Sequence, residues 1–399
     1  MSSTDLPILG QVALGYSPMI DRKRNVVATR LTLFPLRADS ELDASQLLAA
    51  VGEVWPAGGP QASLNVLSES LLQQLLAAAP STNLMIEVPS FMAVAPQHGA
   101  ALRALHARGV PLLLKGRPLS ELPREVLPCF RWSIVDVDEE RRVAGSAAPP
   151  GVTRTIGHVQ SGVRTLAQLE ASFERGAAAV LGWPIEDIVA KPGRKAQQPD
   201  MQVVVELIHR VDAEEPIDRL EATLRRDPTL AFKLLRYINS PAFGLRVEIN
   251  SFAHAIMMLG YKKLKRWLAL LLATAGQDPN LKPVMFAAVR RGLLMEELAR
   301  GTGDEEMKSE LFICGVFSLL DKMMGEPFDT LLRSIPVPER VFQALAEESG
   351  PYWPYCQMIR AIEAESLFDI RDAAEQLLMG QGELNRSVLR ALAGASQIE

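Results

Sequence analysis

Eight short apolar runs recur along the first half of the chain: Gln11–Tyr16, Ala28–Pro35, Ala62–Val66, Leu84–Val88, Pro111–Leu114, Ser133–Val137, Thr153–His158 and Ala179–Leu181. Each is short enough for a buried strand. Between several of them, apolar residues fall at helical spacing, as in Ser68–Ala79, Gly99–Arg108 and Leu166–Arg175. Strand and helix alternating this often predict a parallel α/β domain, and eight strands predict a closed, TIM-like (β/α) barrel.

After Ile188 the pattern changes. Val189–Asp200 is polar, holds Pro and Gly, and lacks an apolar period, so it reads as a boundary. Beyond it helical periodicity dominates, in Met201–Asp212, Ile217–Arg226, Thr229–Asn239, Phe252–Leu259, Lys262–Ala275 and Pro283–Gly301. Asp227 before Pro228 reads as an N-cap, as does Asn250 or Ser251, and Gly260 as a helix stop. The expected division is a barrel over 1–190, a linker over 191–200 and an all-α domain over 201–399. The length of 399 residues suits two cores, and 48% hydrophobic with 22% charged residues argues against disorder.

Charge and cysteine usage narrow the class. A net charge of −5 with dispersed basic residues points away from nucleic acid and anionic membranes as partners. Cys129, Cys314 and Cys356 are far apart, which fits reduced thiols in a cytoplasmic protein better than disulfides or zinc. The N-terminus lacks the pattern of a signal peptide. The longest apolar run, Trp267–Ala275, is far short of the ~20 residues of a spanning helix.

The barrel half resembles the EAL phosphodiesterase family in Tyr16-Ser17-Pro18-Met19-Ile20-Asp21, in Ile86-Glu87-Val88, and in Leu181-Gly182-Trp183, taken in order. That resemblance implies hydrolysis of cyclic di-GMP by two divalent metals held at the C-terminal ends of barrel strands, a chemistry that needs several hard oxygen ligands. Only Asn65 and Glu87 match the family's ligand positions. Arg30-Leu31-Thr32 stands where the name-giving motif belongs, and Lys115-Gly116-Arg117-Pro118 replaces the paired aspartates. Asp136 takes the place of the family's lysine, and Gly157 and Gln160 take those of its glutamates, with His158 between them. The expectation is a barrel without catalytic residues, metal or other cofactor. Arg30, Lys115 and Arg117 are the candidate anion contacts at its mouth.

The second half resembles the HDOD domain, a helical output module of bacterial signalling proteins. The run is Arg226-Asp227-Pro228-Thr229-Leu230, Leu234-Leu235-Arg236-Tyr237-Ile238-Asn239-Ser240, Phe243-Gly244 and Ala255-Ile256-Met257-Met258-Leu259-Gly260. Related phosphohydrolases carry an adjacent His-Asp metal pair, and Ser318-Leu319 stands in its place here. His209 and His254 read as ordinary helical histidines. Tyr261 to Trp267, with Lys262, Lys263, Lys265 and Arg266, reads as a solvated helix start ahead of a buried run rather than a nucleic-acid surface.

The tandem resembles bacterial regulators of second-messenger signalling and motility. The leading expectation is a non-catalytic protein that works through a protein partner of unspecified identity. The alternatives are a cyclic di-GMP receptor without turnover and, less favoured, a nucleic-acid binder. No membrane partner is expected, and oligomeric state stays open.

Overall fold

The computed structural model describes residues 6–38, 40–139, 156–188, 199–224, 260–262, 264–266, 268–272, 278–335 and 337–398. Outside them lie most of the expected linker, the HDOD motif residues from Arg226 to Leu259 with the N-caps expected at Asp227 and at Asn250 or Ser251, and also His254, Lys263 and Trp267, while Gly260 is described and has φ 72°. The chain divides into two compact units. One comprises Met1–Ile188 with Arg360–Leu389, the other Val189–Ile359 with Arg390–Glu399.

The first unit is built on a barrel closed in chain order: β1 Val12–Asp21, β2 Val26–Pro35, β3 Ala62–Val66, β4 Leu84–Pro89, β5 Leu112–Lys115, β6 Phe130–Asp136, β7 Gly157–Ser161 and β8 Ala179–Leu181. Helices α1 Ala44–Val54, α2 Glu69–Ala77, α3 Ser90–Val94, α4 Pro96–Ala107 and α5 Leu166–Glu174 lie between them. Ser68 caps α2 through its hydroxyl, and Thr165 with Gln168 forms a capping box on α5.

One expectation needs correction, since β1 runs antiparallel to both β2 and β8 while the remaining pairs are parallel. The cause is the connection. Only Arg22–Asn25 separate β1 from β2, whereas a parallel crossover needs a dozen residues or more. Arg24 adopts φ 65°, and its N–H bonds back to the Asp21 carbonyl to close the turn.

Side chains alternate along a strand, so every second residue points into the barrel. Met19, Ala28, Met85, Leu113, Ile134, Val159, Ala179 and Leu181 form the interior apolar cluster. Two residues further along β2, β4, β5, β6 and β7 come Arg30, Glu87, Lys115, Asp136 and Ser161. β1 runs the other way, so Ser17 joins this same polar layer from before Met19. Outside the barrel, Ile20, Val137, Val163, Leu169, Phe173, Ala177 and Val180 bury the inner face of α5.

Beyond residue 198 the described elements are helical: α6 Pro199–Asp212, α7 Ile217–Leu224, α8 Lys282–Leu298, α9 Glu305–Phe317, α10 Leu320–Met324, α11 Phe328–Ser334, α12 Glu339–Ala346, α13 Trp353–Glu363, α14 Leu367–Gln376 and α15 Gln381–Ile398. The expected linker therefore stops short of Asp200, which already lies in α6.

Within the second unit α8 and α9 approach closely at paired glycines. A Cβ on Gly315 would lie 2.5 Å from the Arg291 carbonyl oxygen and 2.7 Å from the Gly292 Cα. Leu264 and Leu268–Leu272 are buried in this unit. Arg266 pairs with Glu296 through two contacts of 2.5 Å and lies 3.9 Å from the Phe312 ring centre, while Lys265 pairs with Asp212. Two cations of the basic stretch, Lys265 and Arg266, are thus engaged by carboxylates of the same unit.

The expected helical domain reaching 399 also needs correction, because 360–389 groups with the barrel. Asn385 on α15 shows the reason. Its amide nitrogen donates to the Leu9 and Val12 carbonyls at 2.7 Å each, and its oxygen accepts from the Leu14 N–H at 3.2 Å. A fully buried amide that serves three backbone groups beside β1 ties this segment to the barrel.

Candidate functional site at the barrel mouth

The polar layer is organised around Arg30. Its Nε and Nη2 donate to the two oxygens of Glu87 at 2.8 Å each, a fork geometry that only a guanidinium supplies. Both side chains are buried, Glu87 fully so. Ser63 donates a third hydrogen bond to Glu87 at 3.0 Å. Burial alone would lower the Arg30 pKa, but Glu87 and then Glu365 outweigh it, so the group is held charged.

Glu365 comes from the turn between α13 and α14. Its carboxylate accepts from Ser17 Oγ at 2.7 Å and Thr32 Oγ1 at 2.9 Å, with Arg30 Nη1 at 3.5 Å. Asn65 links this group to Lys115: its Nδ2 donates to Thr32 Oγ1 at 3.1 Å, and its Oδ1 accepts from Lys115 Nζ at 2.7 Å. Burial lowers the Lys115 pKa, an effect that Glu87 and Glu365 offset and the Arg30 charge reinforces.

A cavity of about 720 Å³ is lined by Arg30, Lys115, Glu365, Asp136, Glu139 and the exposed Phe91, among others. The candidate anion contacts are therefore not assembled as expected. Arg30 is turned onto carboxylates, Lys115 onto Asn65, and Arg117 is exposed and absent from the cavity lining. Asn65 and Glu87 do sit in the layer, but both Glu87 oxygens are taken by the guanidinium. The residues present do not fit a pair of metals. His158 and Gln160 are buried, and Gln160 donates to the Val135 carbonyl at 2.8 Å.

Ser17, Thr32 and Glu365 were not legible as site residues. The Arg30–Glu87 contact had a signal, since opposite charges at equivalent inward positions of a barrel must pair or remain unburied. Glu365 had none, because nothing in its helical surroundings marks a contact 335 residues away.

Residues 198–325 match the HDOD domain family. The chain carries an HDOD domain. It spans α6 to α10, and in it Ser318 accepts from Arg291 at 3.1 Å and donates to the Gly315 carbonyl at 2.7 Å.

Among curated proteins the chain is 28% identical over 177 residues to the uncharacterised protein YuxH of Bacillus subtilis, covering 43% of each chain. It is 25% identical over 195 residues to the cyclic di-GMP phosphodiesterase CdgJ of Vibrio cholerae, covering 46% of this chain and 45% of that one. The match thus spans less than half the length of either relative. Among solved structures it is similar to a Klebsiella pneumoniae BlrP1 calcium/cyclic di-GMP complex, 18% identical at TM-score 0.32 over 44% of this chain and 55% of the other. The FimX EAL domain is 16% identical at TM-score 0.30, over 44% and 92%. The expected tandem, an EAL-like barrel ahead of an HDOD domain, agrees with these findings. No helix among the described residues is long and apolar enough to cross a membrane.

Proposed function

We propose that this chain is a non-hydrolytic signalling protein in or near cyclic di-GMP signalling and motility control, acting through a protein partner. The observation that carries the reading is the two-point pair of Arg30 with Glu87. A protein cation sits where the EAL resemblance would place a metal. Hydrolysis in that resemblance needs a metal to generate the attacking hydroxide and to neutralise the leaving oxygen. A guanidinium neutralises charge but keeps its protons and activates no water. The relative named a cyclic di-GMP phosphodiesterase supports the signalling context.

The test is incubation of the purified full chain with cyclic di-GMP and magnesium or manganese, with product separated by chromatography. No turnover above buffer is expected. Metal-dependent turnover that Glu87→Ala abolishes would overturn the proposal. A second reading, a cyclic di-GMP receptor without turnover, is favoured by the cavity over Lys115. Calorimetric titration of cyclic di-GMP separates the two.

A further inference from the structure

We propose that Ser17, Arg30 and Thr32 form an oxyanion seat at the barrel mouth, that Glu365 is its built-in occupant, and that the seat accepts an external phosphate or carboxylate group only when Glu365 is withdrawn. This goes beyond the absence of hydrolysis and does not depend on it.

The direction of the hydrogen bonds carries the inference. Lys115 has only donors, so its contact fixes the Asn65 oxygen toward it and turns the Asn65 NH₂ toward Thr32. The Thr32 oxygen accepts there, and its single hydrogen goes to Glu365. Arg30 commits Nε and Nη2 to Glu87, which leaves Nη1 directed at the same Glu365 oxygen. Ser17 donates to the other one. The network is polarised from Lys115 outward so that three donors from two adjacent strands meet one carboxylate.

Charge balance explains why an external anion is shut out. Arg30 and Lys115 oppose Glu87 and Glu365, two charges against two. Removing Glu365 takes away one of the carboxylates that offset Arg30 and frees the third face of its guanidinium. Asp136 also acts on Arg30, and it accepts from Ser161 and from the Asp138 N–H.

The occupant is held rather than resting there. Glu365 lies at φ 53°, a left-handed conformation unfavourable for a residue with a side chain. Gly15 makes room for it: a Cβ at that position would lie 3.0 Å from the Ile362 carbonyl oxygen and 3.1 Å from the Glu365 Cα.

The experiment titrates inorganic phosphate, against chloride at matched ionic strength, into the full chain, into Glu365→Ala and into Glu365→Gly, which removes the side chain and suits the left-handed backbone there if alanine impairs folding. Calorimetry and circular dichroism are read together. The wild type is expected to show no phosphate-specific binding, and the Glu365 variants to bind at least roughly tenfold more tightly, a change of about 1.4 kcal/mol. Adding Ser17→Ala and Thr32→Val is expected to remove the gain. Folded Glu365 variants that bind phosphate no better than wild type, or a gain indifferent to Ser17 and Thr32, would overturn the proposal. Turnover of cyclic di-GMP by any of these chains would count against the proposed function and leave the seat standing.

Discussion

Arg30 on β2 and Glu87 on β4 meet inside the barrel at two contacts of 2.8 Å, with both side chains taken out of water. Breaking such a pair from one side strands a buried charge. Glu87→Ala is therefore expected to cost about 3–5 kcal/mol in urea unfolding. Arg30→Met with Glu87→Met removes both charges at similar volume and should cost less than Glu87→Ala alone. A double variant less stable than the single one would show that the pair holds the barrel by more than mutual neutralisation.

Asn385 predicts the dependence of the barrel on the distant end of the chain. Asn385→Ala removes the partners of the Leu14 N–H and the Leu9 and Val12 carbonyls. With about 1–3 kcal/mol for each buried group left unmade, and water reaching some of them, a loss of about 2–4 kcal/mol is expected. A chain ending at residue 190 should lack the sharp near-ultraviolet circular dichroism of the intact protein. A cooperative, native-like unfolding transition in that fragment would refute the dependence.

The glycine contact between α8 and α9 gives a separate prediction for the second unit. Gly315→Ala drives a methyl group into the Arg291 backbone and should cost about 1–3 kcal/mol. Gly292→Ala meets the Val316 side chain, which turns aside more readily than a backbone, and lies 3.1 Å from the Phe312 carbonyl oxygen, a milder backbone approach than that at Gly315, so its thermal midpoint should fall less. The order of the two midpoints is the measurement.

Cys314 and Cys356 place their sulfurs 3.9 Å apart in the same unit. The contact with Cys356 and burial both push the Cys314 thiol well above its ordinary value. A folded-state pKa above the unfolded one adds stability that is complete below about pH 9 and is lost as pH climbs beyond it. The urea midpoint should fall from pH 8 to pH 10, and fall less in Cys314→Ala. Native Cys314 should react with a thiol reagent at pH 8 roughly a hundredfold more slowly than the unfolded chain. Equal rates would show that the thiol is accessible.

The strands of the barrel were legible because each is a short apolar run, and the observed elements overlap all eight expected ones. The direction of β1 was written in the same residues, in the brevity of Arg22–Asn25, but an apolar run carries no arrow. A family pattern marks the positions of Arg30, Asn65, Glu87 and Lys115 in the sequence. Their bonds to one another are not written there, because a motif fixes where a residue stands along its strand and not which side chain it meets across the barrel. Glu365, in a turn, and Asn385, on a helix, both join 360–389 to the barrel, and neither is marked apart from its neighbours by an apolar pattern.

That return sets an order on how the molecule is made. A chain leaves the ribosome from its N-terminus, and domains generally fold as they emerge. The Leu14 N–H must wait 371 residues for the amide that completes it. Closing so long a loop is slow, and until then the edge of β1 carries polar groups with nothing to bond but water. The unit whose synthesis begins first thus stays incomplete until residue 385 has been added, and a nascent chain stalled before that point would expose the start of its first strand to whatever chaperone is at hand.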